Sequence, residues 1–134
     1  MAGFTSFLEK EVLDHVFEGS TYAMPKKWVG LFTAAPADGS SGTEVTSTGG
    51  YTRIDSTTWT AASTTASTSA FTVNSTAIVF PTATGSWGTV DYFGLCTSSA
   101  AGEIIAWSSL TVSKTIATGD SVTFSSGSIT IRLD

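Results

Sequence analysis

The stretch "FPTATGSWGTVDYFGL", Phe80 to Leu95, decides how the rest of the chain is read. A proline, three glycines and Trp87 surround apolar residues, and Asp91 is the single charge in the run. Pro81, Gly85 and Gly88 frame a turn, because proline fixes φ and glycine accepts conformations closed to other residues. The turn joins two apolar stretches, Ala77–Phe80 and Val90–Leu95, and Trp87 is expected to cap a sandwich or an inter-subunit seam. The alternative is a binding loop that presents Trp87 to solvent.

Working outward, apolar residues recur with period two. "KWVGLFT" (Lys27 to Thr33) sets Trp28, Gly30 and Phe32 against Val29, Leu31 and Thr33. Both sets are largely apolar, which predicts a central strand covered on both faces. Trp28 and Trp107 lie in such runs and read as core. Further strands are expected at Tyr51–Asp55, Phe71–Val73, Ala77–Phe80, Val90–Thr97, Glu103–Leu110, Ser121–Phe124 and Ser128–Leu133. The last two form a predicted hairpin across "SSGS". "AAPADGSSGTEVTSTGG" (Ala34 to Gly50) is a long polar connection, and "TTWTAASTTASTS" (Thr57 to Ser69) an edge strand or loop. Several short strands separated by turn residues predict an antiparallel β-sandwich or jelly-roll-like domain over residues 20–134.

Residues 1–19 hold one helix. In "TSFLEKEVLDHVFEG", Ser6 and Glu9 match the S-x-x-E capping box, and Gly19 supplies a left-handed stop. Leu8, Val12 and Val16 share a stripe flanked by Phe7, Leu13 and Phe17. A helix this short is marginal alone in water, so its apolar face must dock. It is either part of the same domain or a subunit contact.

The chain has 134 residues, 41% hydrophobic and 13% charged, enough for one domain with a real core. About a third of the residues are Ser or Thr. A net charge of −5 and a pI near 4.6 argue against nucleic acid, which calls for a basic face. No run approaches a membrane helix and no secretory leader is evident, so a protein made in the cytoplasm is expected. Cys96 has no cysteine partner and lies in an apolar strand, where it reads as a small buried hydrophobe.

Chemistry has few candidates. One His and one Cys leave a zinc site short of ligands, and "DGSSGTE" (Asp38 to Glu44) lacks the acidic spacing of an EF-hand loop. His15 is the sole imidazole, on the margin of the helix, and no G-x-S-x-G elbow accompanies it. No phosphate-binding glycine pattern occurs. Asp55, Asp91, Glu103 and Asp120 show no pairing of the kind a glycosidase needs. No catalytic residue, cofactor or metal is expected. Trp59, in the polar tract, and Trp87 are the candidate exposed aromatics, and a sugar would stack on such faces.

The residues resemble a family of small tailed-bacteriophage virion proteins, labelled tail-fibre or structural proteins. The resemblance rests on "LDHVF" (Leu13 to Phe17), "WVGLFTAAP" (Trp28 to Pro36), "GGYTRI" (Gly49 to Ile54), "IVFPTATGSWGTVDYFGL" (Ile78 to Leu95) and "IIAWSSLTVSKTIATGDSVTFSSGSITIRLD" (Ile104 to Asp134). Glu18, standing between Phe17 and Gly19, is a departure that touches only the helix cap. The resemblance implies a virion building block, without enzymatic activity, whose partners are other virion proteins. The absence of heptads or a shaft-like repeat favours a capsid decoration (cement) protein, a homo-oligomer with trimer first. Its contact with a neighbour or the shell would be Phe4, Phe7, Leu8 and Val12. The alternative is a tail-associated or fibre-knob protein that contacts the host, with Trp59 and Trp87 as the glycan-facing residues.

Overall fold

A computed structural model describes residues 3–23, 27–37, 42–56, 58–64 and 69–133. The chain opens with β1 (Gly3–Phe4) and helix α1 (Ser6–Leu13), which a π-helical turn (Asp14–Glu18) extends. β2 (Trp28–Ala34), β3 (Thr43–Glu44), β4 (Ile54–Asp55), β5 (Ser63–Thr64) and β6 (Ala70–Val73) follow. β7 (Ile78–Val79), β8 (Gly88–Cys96), β9 (Ile104–Ile116), β10 (Thr123–Phe124) and β11 (Thr130–Leu133) complete it. The protein is mainly β, antiparallel, with one N-terminal helix, as its periodicity predicts.

The largest sheet has the order β1-β9-β8-β2-β3, and β4 pairs with the remaining length of β2 beside β3. β10-β7 and β11-β6-β5 are separate small sheets. Alternation along β2 assigns its two faces. Val29 and Leu31 are fully buried and join Ile78, Phe80, Trp87, Val90, Leu95, Ile105, Ile116 and Ile129 in the main core. Ile78 of β7 and Ile129, just before β11, join that core, with Phe124 of β10 and Ile131 of β11 packed against it, so the small sheets cover one face in a sandwich-like arrangement. On the other face Phe32, Cys96 and Ile104 form a second cluster, flanked by half-buried Trp28, Tyr92 and Trp107. Trp28 and Trp107, which read as core, thus pack against this second cluster and stay half-buried. Two apolar faces on one strand do make it central, but among the described residues no sheet covers the second face.

Gly30 and Gly94 are paired on that second face. A Cβ on Gly94 would come within 3.0 Å of the Phe32 ring. The missing side chain is therefore the space the Phe32 ring occupies.

Strand pairing corrects two sequence expectations. Ser121–Phe124 and Ser128–Leu133 do not form a hairpin: β10 pairs with β7 (Phe124↔Ile78) and β11 with β6 (Ile131↔Thr72). Alternating apolar residues identify strands but not partners, and distant strands outcompete the adjacent one here. Phe80–Trp87 likewise closes no hairpin. It carries the chain from β7 in a small sheet to β8 in the large one, alongside the segment after β9. Phe80 N–H donates to Val122 O (2.9 Å), Ala83 N–H to Asp120 O (2.8 Å) and Trp87 N–H to Ile116 O (3.0 Å).

β9 runs past its expected end at Leu110, as far as Ile116. Between the pairs Val90↔Lys114 and Tyr92↔Ser109, Asp91 alone faces four residues, Leu110 to Ser113. Ser113 Oγ donates to the Asp91 carboxylate, anchoring the bulge. Pairing of Leu95 with Ala106 and of Cys96 with Ile104 leaves Ile105 as an extra residue, directed to the main core.

At the N-terminus the cap is Thr5 rather than Ser6, so the expected Ser6–Glu9 box does not form. Thr5 N–H donates to Ile105 O (3.0 Å) and its hydroxyl donates to the Ile104 carbonyl, tying the helix start to β9. Gly19 does end the helix, at φ 78°. Pro25, the expected start of the β region, and Asp38–Ser41 of the polar connection lie outside the described residues, as do Thr57 and Thr65–Thr68.

Replacing Gly94 by Ala is expected to destabilise the fold by about 1–3 kcal/mol, the range for overpacking a filled core. Gly3→Ala, where a Cβ meets nothing within 4 Å, is the neutral control. Urea unfolding of the two variants measures the difference.

Candidate interaction surface

Trp87 is 4% exposed. Its indole N–H donates to Gly49 O (2.8 Å), which also accepts Thr84 N–H (2.9 Å). Its ring meets Tyr51 edge-on, with centroids 5.4 Å apart. Gly49 and Gly50 both sit at positive φ, and a Cβ on Gly49 would lie 2.9 Å from Gly85 O. Glycines in both segments therefore let two backbones touch and bury the tryptophan between them. The alternative of a loop presenting Trp87 is excluded by this burial. Trp59 is half-buried against the main core, bridged to Asn74, with its N–H on Ser56 O (3.0 Å). Trp59 and Trp87 do not come together as a sugar platform.

The densest polar constellation lies at the edge of β2. Leu31 N–H donates to the Tyr51 hydroxyl (2.9 Å), which donates to Glu44 Oε1 (2.8 Å). Arg53 Nε donates to Glu44 Oε1 (2.7 Å) and Nη2 to Oε2 (2.7 Å), a two-pronged pair. Its Nη1 donates to Ser98 O and Ala101 O, both at 2.7 Å, holding the β8–β9 turn where Ala101 adopts φ 55°. Arg53 is only 8% exposed, and its pKa is raised first by the hydrogen bond to Glu44. Every polar atom named here faces another protein group, which is the arrangement of a brace rather than of a site awaiting substrate.

Beside it, Cys96 is fully buried, and burial pushes its thiol up to about 11, against a smaller opposing effect of Arg53. His15 Nδ1 lies 3.0 Å from Ser20 O and 3.4 Å from Tyr22 N, against the backbone leaving the helix. Among the described residues no group of three or more His, Cys, Asp or Glu is placed to hold a metal ion.

Among the described residues, the helix and its π-helical turn carry four of the seven large exposed apolar side chains. Leu8 packs against the main core, and Phe4, Leu8 and Val12 line an apolar groove with Leu95, Ile105 and Ile131. Phe7 is half-buried. The four residues expected to make a subunit contact are thus divided, and only Val12 (39%) counts as exposed. The more exposed residues are Leu13 (56%), Val16 (63%) and Phe17 (81%). The apolar stripe predicts that Val16 continues the docked face, but it does not. The turn from Asp14 to Glu18 closes through a wider backbone ring than an α turn. The helix residues that line the groove are Leu8, Val12 and His15, and Val16 and Phe17 lie past it. Sequence periodicity finds these residues, with Leu13 and Phe17 flanking the stripe, but puts Val16 on the docked face.

Residues 3–132 match the family model described as podophage GP4 fiber I protein gp80. The chain belongs to this family. Membership makes it a bacteriophage virion structural protein, made in the host cytoplasm and associated with other virion proteins. No curated protein matches it.

Arg53→Met is expected to cost about 3 kcal/mol, since it strands Glu44 and two carbonyls in a desolvated site. The thiol gives a second outcome with a definite sign. An unfolded cysteine ionises near pH 8.5, whereas in the fold burial delays this to about 11. Its contribution is complete below the unfolded pKa and is lost as pH rises through the folded one. Urea titrations at pH 8 and pH 10 should show the native protein losing about 2 kcal/mol more than Cys96→Ala. Equal losses in the two proteins would refute this origin.

Proposed function

We propose that this chain is a non-enzymatic subunit of a phage tail fibre, a compact module attached to the tail through its N-terminal helix. The family match over residues 3–132 carries the reading, because that family is described as a fiber protein. It supports the tail-associated alternative over capsid decoration, for which the argument rested on compactness and the lack of a shaft repeat. Compactness is equally compatible with a short fibre module. The non-enzymatic character is supported by the polar groups that are closest together, Tyr51, Glu44 and Arg53, being directed at one another and at backbone.

Host contact through a glycan is a narrower form of the same reading. Trp87 gives it no support, being buried, and Trp59 offers a half-buried indole. A homotrimer is the oligomer to test first, by sedimentation of the purified protein.

Cryo-electron microscopy of intact virions tests the assignment. The sandwich with its N-terminal helix should fit density at the tail, with the helix toward a neighbouring protein. Copies arrayed over the shell at icosahedral positions would return the chain to the decoration reading.

A further inference from the structure

Leu13 at the end of α1, and Val16 and Phe17 in the π-helical turn, are 56%, 63% and 81% exposed. Three large apolar side chains bared on one short helix form a docking patch rather than the scattered exposure of an ordinary surface. The acidic border identifies what docks there. Residues 6–18 carry four carboxylates (Glu9, Glu11, Asp14, Glu18) against one lysine, a net of −3 out of −5 for the whole chain. Lys10 is paired with Asp14 one turn on. Exposed Glu9 lies one turn before Leu13 on the same face, and exposed Glu18 adjoins Phe17.

A second copy of this chain docking face to face would oppose like charges across the patch. Among the described residues, the apolar groove that a second copy could offer carries one lysine, Lys27, and is walled by the same acidic helix. Arg53 is held by Glu44, and Arg132 lies over the Phe71 ring. Resting on the fibre reading, we infer that Leu13, Val16 and Phe17 insert into an apolar recess of a different virion protein, bordered by Lys or Arg. Apolar burial supplies the adhesion, and the carboxylates at Glu9 and Glu18 set orientation and reject self-association.

The test uses tagged full-length chain supplied in trans during infection, competing with the phage's own copy, and counted in purified virions by mass spectrometry. The native tagged chain should be incorporated. Phe17→Ser with Val16→Ser should lower its copy number at least tenfold while leaving the thermal unfolding curve of the purified protein unchanged. Glu9→Lys with Glu18→Lys should lower it severalfold. Val112→Ser, at an exposed apolar side chain on β9 far along the chain from the helix, should be incorporated normally. A photo-crosslinking p-benzoylphenylalanine in place of Phe17 should join the chain to a different virion protein, beside Lys or Arg. Crosslinks to the chain's own copies, or undiminished incorporation of the Phe17/Val16 variant, overturn the inference while leaving the fibre reading intact. Failure of the native tagged chain to enter virions overturns both.

Discussion

Tyr51 is the point at which the two halves of this structure meet. Its ring stacks on Phe80 and meets Trp87 edge-on inside the sandwich, while its hydroxyl reaches the edge of β2. There it accepts the Leu31 N–H, at the gap between the pairings with β3 and β4, and donates to Glu44. Without it a buried backbone donor in the central strand would go unpaired, at a cost of about 1–3 kcal/mol. Desolvation raises the pKa of the hydroxyl, so it stays protonated and able to donate. The Arg53–Glu44 pair continues the same chain of bonds to the β8–β9 turn, so one network joins the core, the sheet edge and a hairpin.

That rigidity bears on function. In the proposed role, a fibre module that transmits contact between a virion and its surroundings, a fixed shape would matter more than a reactive group. Uncharged Thr and Ser pairs such as Thr58–Thr76 and Thr89–Thr115 knit neighbouring segments at the surface. The same composition leaves few charges to serve recognition. Charge is concentrated instead on the N-terminal helix, beside the most exposed apolar residues of the chain.

The strands and their faces were legible because burial imposes period two: Val29 and Leu31 face one way, Trp28 and Phe32 the other. The pairing of those strands was not. Phe124 meets Ile78 rather than its sequence neighbour, since register is set by which faces fit once the layers are assembled. The role of Trp87 was legible in outline from the glycines and proline around it, and its burial follows from Gly49 and Gly85 touching. The two faces of the helix were only half legible. Phe4, Leu8 and Val12 line a groove over the sheet, whereas the outward patch lies one turn later.

By itself, then, the sequence determined a β-rich domain with one leading helix, a buried cysteine, and membership in a virion family, because each follows from local pattern or from residue identity. Tertiary structure alone decided that Phe80–Trp87 crosses between sheets, that Arg53 is buried against Glu44, and that Leu13, Val16 and Phe17 face outward. Those outcomes depend on contacts between segments distant in sequence, which no apolar periodicity records.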